Sequence, residues 1–182
     1  GAANVALNIK KLGADVVLCG LVGKDEHGEV TKNILQKFNI STEGIIQTSR
    51  PTTVKSRILS LGQQILRVDS EQDDPINKSV NNKILDFVSS CAGNIDLCII
   101  QDYEKGMLNI NNITQIIELC KANNIYTAVD PKKENFWQYD NVDLFKPNLS
   151  ELSQSLQLNI DPSSKQEIDN AIDKLRNKLN HK

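Results

Sequence analysis

Short β-type apolar runs alternate with helically spaced ones through most of this chain, and no other feature restricts the fold as much. A helical pattern over 77–90 is followed by a strand at 96–100, a helix at 111–122 and a strand at 125–129; a strand at 143–146 and a helix at 150–158 come next. Parallel strands need a crossover between them, so this order predicts an α/β fold on a mostly parallel sheet. Ahead of that stretch a helix of small residues opens the chain, with Gly13 placed to end it. A buried strand at 15–20, a loop at 23–28 and a helix at 29–38 succeed it, the helix carried by Val30, Ile34, Leu35 and Phe38. Residues 45–48 form a short strand, and Pro51 breaks it from the β-rich residues beyond.

Residues 53–61 and 64–69 break the rhythm. Two β-rich runs flank a turn at Gly62, which predicts a hairpin, an insertion at about 45–70 too short to be a domain and well placed to be a lid. Lys55 and Arg57 share one face of its first strand, while Val54 and Ile58 take the other. A turn with an odd number of residues adds Arg67 to the cation face and Leu66 and Val68 to the apolar one. Three cations facing one way can receive an anion such as a sugar phosphate. Equally, they can be a solvated face that blunts an edge strand. The apolar face needs a cover, and a second subunit is the economical one, so a homodimer through the lid is expected.

Three predicted strands run into Asp102, Asp130 and Asn148. In an open parallel sheet, ligands bind beyond the carboxyl ends of the strands, so these residues outline the rim of one site. Each could instead start a turn or cap a helix. Asn148 and Glu151 together have the spacing of a capping arrangement. The same pair suits magnesium-bound water or phosphate oxygens, because Mg²⁺ prefers oxygen ligands and keeps most of its waters.

Composition narrows the partners. A net charge of −2 offers no basic stripe for nucleic acid. No apolar run approaches the ~18 residues of a membrane span, and no signal-peptide pattern opens the chain. Cys19, Cys91, Cys98 and Cys120 read as small buried hydrophobes in a reducing compartment, and His27 and His181 are too few and too far apart for a metal cluster. A soluble, cytoplasmic protein is expected. Both ends read as cut: a helix opens the chain with no strand before it, and the helical pattern of 164–179 leads to no further strand. The expectation is a fragment, a partial domain over 1–182.

Several segments, in order, resemble the ribokinase-like (pfkB) carbohydrate kinases, and among them the bacterial heptose-7-phosphate kinase group of ADP-heptose synthesis. These are Gly1-Ala2-Ala3-Asn4-Val5-Ala6, Leu21-Val22-Gly23-Lys24-Asp25, Thr53-Val54-Lys55-Ser56-Arg57-Ile58-Leu59-Ser60 and Gln63-Gln64-Ile65-Leu66-Arg67-Val68-Asp69. Asp102-Tyr103-Glu104-Lys105-Gly106, Asp130-Pro131-Lys132 and Pro147-Asn148-Leu149-Ser150-Glu151 complete the set. The resemblance implies a three-layer sandwich with a lid, and transfer of phosphate from ATP, with Mg²⁺, to the anomeric hydroxyl of a heptose 7-phosphate. It implies that Asn4 contacts sugar hydroxyls, that Lys55, Arg57 and Arg67 face the existing phosphate, and that Asp102 lines the substrate cleft with Asp130. Asn148, Glu151, Lys132 and Lys105 are implied at the ATP phosphates and hydrated magnesium, with no direct metal ligand. The family's Gly-Ala-Gly-Asp motif, which supplies the general base, does not occur in these residues, so this stretch alone is expected to be inactive. Another sugar kinase of the superfamily, or a non-catalytic binding or dimerisation module, are the competing expectations.

Overall fold

In the computed structural model, residues 1–179 are described; His181 lies outside them. They form two compact units, one of residues 1–87 with 105–107, the other of 88–104 with 108 onward.

The first unit starts with α1 (Ala2–Lys11), capped by Leu12 just before Gly13. Next come β1 (Gly20–Gly23), α2 (Glu26–Lys37) and β2 (Ile45–Thr48). β1 and β2 pair in parallel, Gly20 opposite Ile45 and Gly23 opposite Thr48. Ala6, Val22, Leu35, Ile40 and Ile45 form the core beneath them, with Val16 and Leu18 packed against it. The strand expected at 15–20 is corrected: those residues make only one bridge, Val17 to Ser41, and the ladder begins at Gly20. Apolar alternation there reports packing on the core, which does not require a paired strand. α2 starts three residues earlier than its apolar spacing suggests, because Asp25 accepts a hydrogen bond from the Gly28 N–H and caps it. On α2 only Leu35 of the four expected apolar residues is buried.

The hairpin is β3 (Val54–Ser60) and β4 (Gln63–Ser70), antiparallel and exposed along nearly its whole length. Leu61 and Gly62 form a two-residue turn, both at positive φ (49° and 79°), the combination that matches the right-handed twist of a hairpin. The turn is even, whereas an odd one was the condition for Arg67 to join the cation face. The register shifts once, however, with Ile58 opposite Leu66 and Leu59 opposite Gln64, so Ile65 is an extra residue. That bulge restores the parity. α3 (Lys78–Cys91) comes next, its Ile84 buried.

The second unit holds β5 (Leu97–Gln101), β6 (Tyr126–Asp130) and β7 (Leu144–Phe145) in a parallel sheet of that order. α4 (Ile110–Ala122) links β5 to β6, and it buries Ile113, Ile116, Ile117 and Cys120. The strands are side by side at their carboxyl ends: Gln101 pairs with Asp130, and the Asp102 N–H donates to the Asp130 carbonyl at 3.1 Å. Side chains alternate across the sheet, with Ile100, Thr127 and Val129 buried on one face and Leu97, Ile99, Tyr126 and Leu144 exposed on the other. α5 (Leu149–Leu156) and α6 (Lys165–Leu179) complete the unit. Phe136, Leu152, Ala171, Leu175 and Leu179 pack into its second core, with Phe136 edge-on to both Trp137 and Phe145. None of the helices among the described residues is long and apolar enough to cross a membrane.

Candidate active site

The hairpin carries the expected cation face. Arg57 and Arg67 stand directly opposite each other, as do Lys55 and Asp69, while Val54, Ile58, Leu66 and Val68 occupy the other face. Like charges placed opposite one another repel, so Asp69 matters. Its carboxylate accepts from Arg67 Nε at 2.8 Å and from Arg67 Nη2, and Lys55 Nζ donates to it at 3.1 Å. Glu71 takes a second bond from Lys55 Nζ at 3.2 Å and one from Lys105 Nζ at 2.7 Å. The Arg67 hydrogen bond, with Lys55 beside it, holds the Asp69 carboxyl far below the usual carboxylate range. Lys105, and then Lys55, lower that of Glu71. Hydrogen bonds to Asp69 and Glu71 raise Lys55 in turn. Three cations, Lys55, Arg67 and Lys105, thus share two carboxylates, while Arg57 makes no ion pair among the described residues. The cluster keeps a positive excess on an exposed face, which suits a dianionic phosphate.

Lys105, expected among the ATP-phosphate residues, is bonded to Glu71 and so joins the hairpin cluster. Asn4 sits exposed in the first turn of α1, and no hydrogen bond ties its side chain to the hairpin.

In the second unit the strand ends build a separate group. Asn148 is the N-cap of α5, and its side-chain oxygen accepts from the Glu151 N–H at 2.9 Å. Glu151 Oε2 accepts from the Asn148 N–H at 2.8 Å. This is the capping box the spacing suggested. Lys132 reaches back to the other Glu151 oxygen, Oε1, and Lys146 pairs with Asp130 at 3.2 Å. Burial acts to lower the Lys132 pKa, but its hydrogen bond to Glu151 and the neighbouring carboxylates prevail and raise it. Two ammonium groups and an oxygen-only set of acceptors therefore border the carboxyl edge of the sheet.

Asp102, expected at the substrate, is buried at 2% exposure. Its Oδ2 accepts from the Tyr139 hydroxyl at 2.7 Å and from Asn135 Nδ2 at 2.9 Å, and its Oδ1 from the Glu104 N–H at 2.8 Å. With its oxygens accepting from three internal donors, it fastens the segment after β5. Burial, then the Asp102 charge, push the Tyr139 phenol far above its ordinary value. Sequence reasoning missed Tyr139 and Asn135. The available signal was an aromatic cluster, Phe136-Trp137-Gln138-Tyr139, in a chain with 4% aromatic residues.

Among the described residues no group of three His, Cys, Asp or Glu side chains could hold a metal ion. A divalent cation at Asn148 and Glu151 would be held through its waters, since both Glu151 oxygens are already bonded.

Comparison with known proteins gives one consistent picture. Residues 1–182 match the pfkB family carbohydrate kinases. Bifunctional protein HldE of Helicobacter pylori (strain J99) is 40% identical over 162 residues, 88% of this chain and 35% of that protein. Phosphofructokinase-2 from Escherichia coli in complex with fructose-6-phosphate superposes with a TM-score of 0.77 at 20% identity, covering 100% of this chain and 59% of that one. Ribokinase from Giardia lamblia gives 0.72 at 17% identity, over 98% and 54%. The fold is thus the ribokinase-like α/β fold, and the chain spans about a third of the length of the curated relative it matches.

Proposed function

From the fact that this chain belongs to the pfkB family of carbohydrate kinases, we propose that its protein transfers the γ-phosphate of ATP to the anomeric hydroxyl of D-glycero-D-manno-heptose 7-phosphate, in the cytoplasm, as a step of ADP-heptose synthesis for lipopolysaccharide. The observation that carries this reading is the hairpin's cation face, where Arg57 and Arg67 stand opposed with Lys55 beside them. A sugar that already bears a phosphate needs such a receptor, and a neutral sugar does not. The 40% identity to a bifunctional HldE protein supports the same choice.

In this proposal Lys55, Arg57 and Arg67 hold the resident phosphate and Asn4 meets sugar hydroxyls. Lys132, with Asn148 and Glu151, orients the ATP phosphates and the waters of Mg²⁺. ATP supplies the transferred phosphoryl group. The chain's own residues neutralise and align it, which is most of what phosphoryl transfer asks of a protein. The Gly-Ala-Gly-Asp motif does not occur in these 182 residues, so no residue is proposed here as the proton acceptor for the attacking hydroxyl, and the test is made on the protein as it exists. Assaying that protein against free and 7-phosphorylated sugars tests the reading. Preference for a 7-phosphorylated heptose is the expected result; preference for unphosphorylated ribose or fructose would make it another sugar kinase.

The hairpin also supports a homodimer. Ile58, Leu66 and Val68 are each about half exposed on one apolar face. Changing Ile58 and Leu66 together to Asp is expected to convert the intact protein to monomers in sedimentation velocity, because burying two carboxylates against a second lid costs several kcal/mol each. An unchanged sedimentation coefficient would place the subunit contact elsewhere.

A further inference from the structure

The Gly23-Lys24-Asp25 segment of the β1–α2 turn has no part in the proposed chemistry, yet it is bonded to the foot of the hairpin. Thr52 lies two residues before β3. Its hydroxyl donates to Asp25 Oδ1 at 2.7 Å, and its N–H donates to Asp25 Oδ2 at 2.7 Å. The same hydroxyl accepts from the Gly23 N–H at 2.8 Å, while Asp25 Oδ1 also accepts from the Gly28 N–H at 2.8 Å. One carboxylate thus ties together the end of β1, the start of α2 and the chain entering the hairpin. Its pKa is lowered first by the Thr52 hydroxyl, then by the Thr52 and Gly28 N–H groups.

The contact is tight enough to dictate the neighbouring residue. A Cβ on Gly23 would lie 2.1 Å from Asp25 Oδ2, 2.6 Å from the Arg50 carbonyl and 2.7 Å from the Thr52 nitrogen. Arg50 fastens the two feet of the hairpin to each other, since its Nη2 donates at 2.6 Å to the carbonyl of Gln72, just beyond β4. Its Nη1 is buried with no partner among the described residues. Beyond these feet the hairpin is almost wholly exposed, so the clamp, together with the Lys105–Glu71–Lys55 ion pairs, is what can fix its direction.

We propose that Asp25 and Thr52 are positioning residues that aim the hairpin, and with it Lys55 and Arg57, from the β1–α2 turn. The kinetic part of this inference rests on the phosphosugar reading; the mechanical part does not. Thr52→Val keeps the shape and the Thr52 N–H bond but removes the hydroxyl that bridges Asp25 and Gly23, and it leaves the α2 cap intact. In the intact protein, Thr52→Val is expected to speed amide hydrogen exchange across 54–60 and 63–70 about ten-fold, with α2 unchanged, since losing a bond to a charged group eases local opening. KM for the phosphosugar should rise about ten-fold while KM for ATP stays within about two-fold. Thr52→Ser, which keeps the hydroxyl, should restore both. Exchange that is unchanged in the hairpin, or that rises equally throughout the protein, would overturn the clamp, as would a Ser variant behaving like Val. Because exchange needs no substrate, faster hairpin exchange with no selective change in the phosphosugar KM would uphold the clamp and overturn only its tie to the phosphosugar.

Discussion

Asp102→Ala is expected to destabilise the protein by about 3–5 kcal/mol, because a buried donor that loses its acceptor costs about 1–3 kcal/mol and three donors converge on this carboxylate. The Tyr139 hydroxyl and Asn135 amide on Oδ2 and the Glu104 N–H on Oδ1 would all be left without it. The methyl of Ala also leaves space beside Tyr139, which is fully buried. Tyr139→Phe takes away one donor and leaves Asp102 the other two, so its cost should be only about 1 kcal/mol. Urea midpoints of the intact variants check the order. If Asp102→Ala proved no worse than Tyr139→Phe, water would be satisfying the donors, and Asp102 would not be the fastening point of this segment.

Sequence periodicity predicted the faces of the hairpin correctly, because strand side chains alternate with period two whatever closes the turn. How the two strands keep that pairing was not legible. An odd turn was the simple way to bring Arg67 opposite Arg57; the molecule uses the two-residue turn Leu61-Gly62 and takes up the odd residue as a bulge at Ile65. The Asn148–Glu151 cap could be read directly, since a capping box is a local pattern with a spacing of three. Residues 15–20 misled for the opposite reason. Val16 and Leu18 do pack on the core, but a ladder depends on a partner strand that no local pattern encodes. The Asp102 network was least legible, because Tyr139 lies 37 residues away in sequence and neither residue belongs to a periodic face. The clamp of Asp25 to Thr52 spans 27 residues and was hidden in the same way, although Asp25 itself was visible as part of a motif.

The lid cations should separate phosphorylated from unphosphorylated sugars. A charge-assisted hydrogen bond contributes about 1.5–3 kcal/mol, so Arg57→Ala in the intact protein should lower kcat/KM for the phosphosugar roughly ten- to hundred-fold. Arg57 gives the cleaner experiment, because among the described residues it holds no ion pair that its removal would disturb. Arg67→Ala should be worse. It removes a cation and also leaves Asp69 with Lys55 as its one remaining partner, so a freed carboxylate stands beside the incoming phosphate. Adding Asp69→Asn to Arg67→Ala should therefore recover part of the loss, which simple removal of a phosphate contact does not predict. KM for ATP should change little in all three variants, since Lys132, Asn148 and Glu151, proposed at the ATP phosphates, are untouched. Steady-state kinetics for each substrate, repeated with the corresponding unphosphorylated sugar, decide the matter. Equal losses on both sugars would mean that the cations only order the hairpin, and the heptose 7-phosphate assignment would give way to a kinase for a sugar without a resident phosphate.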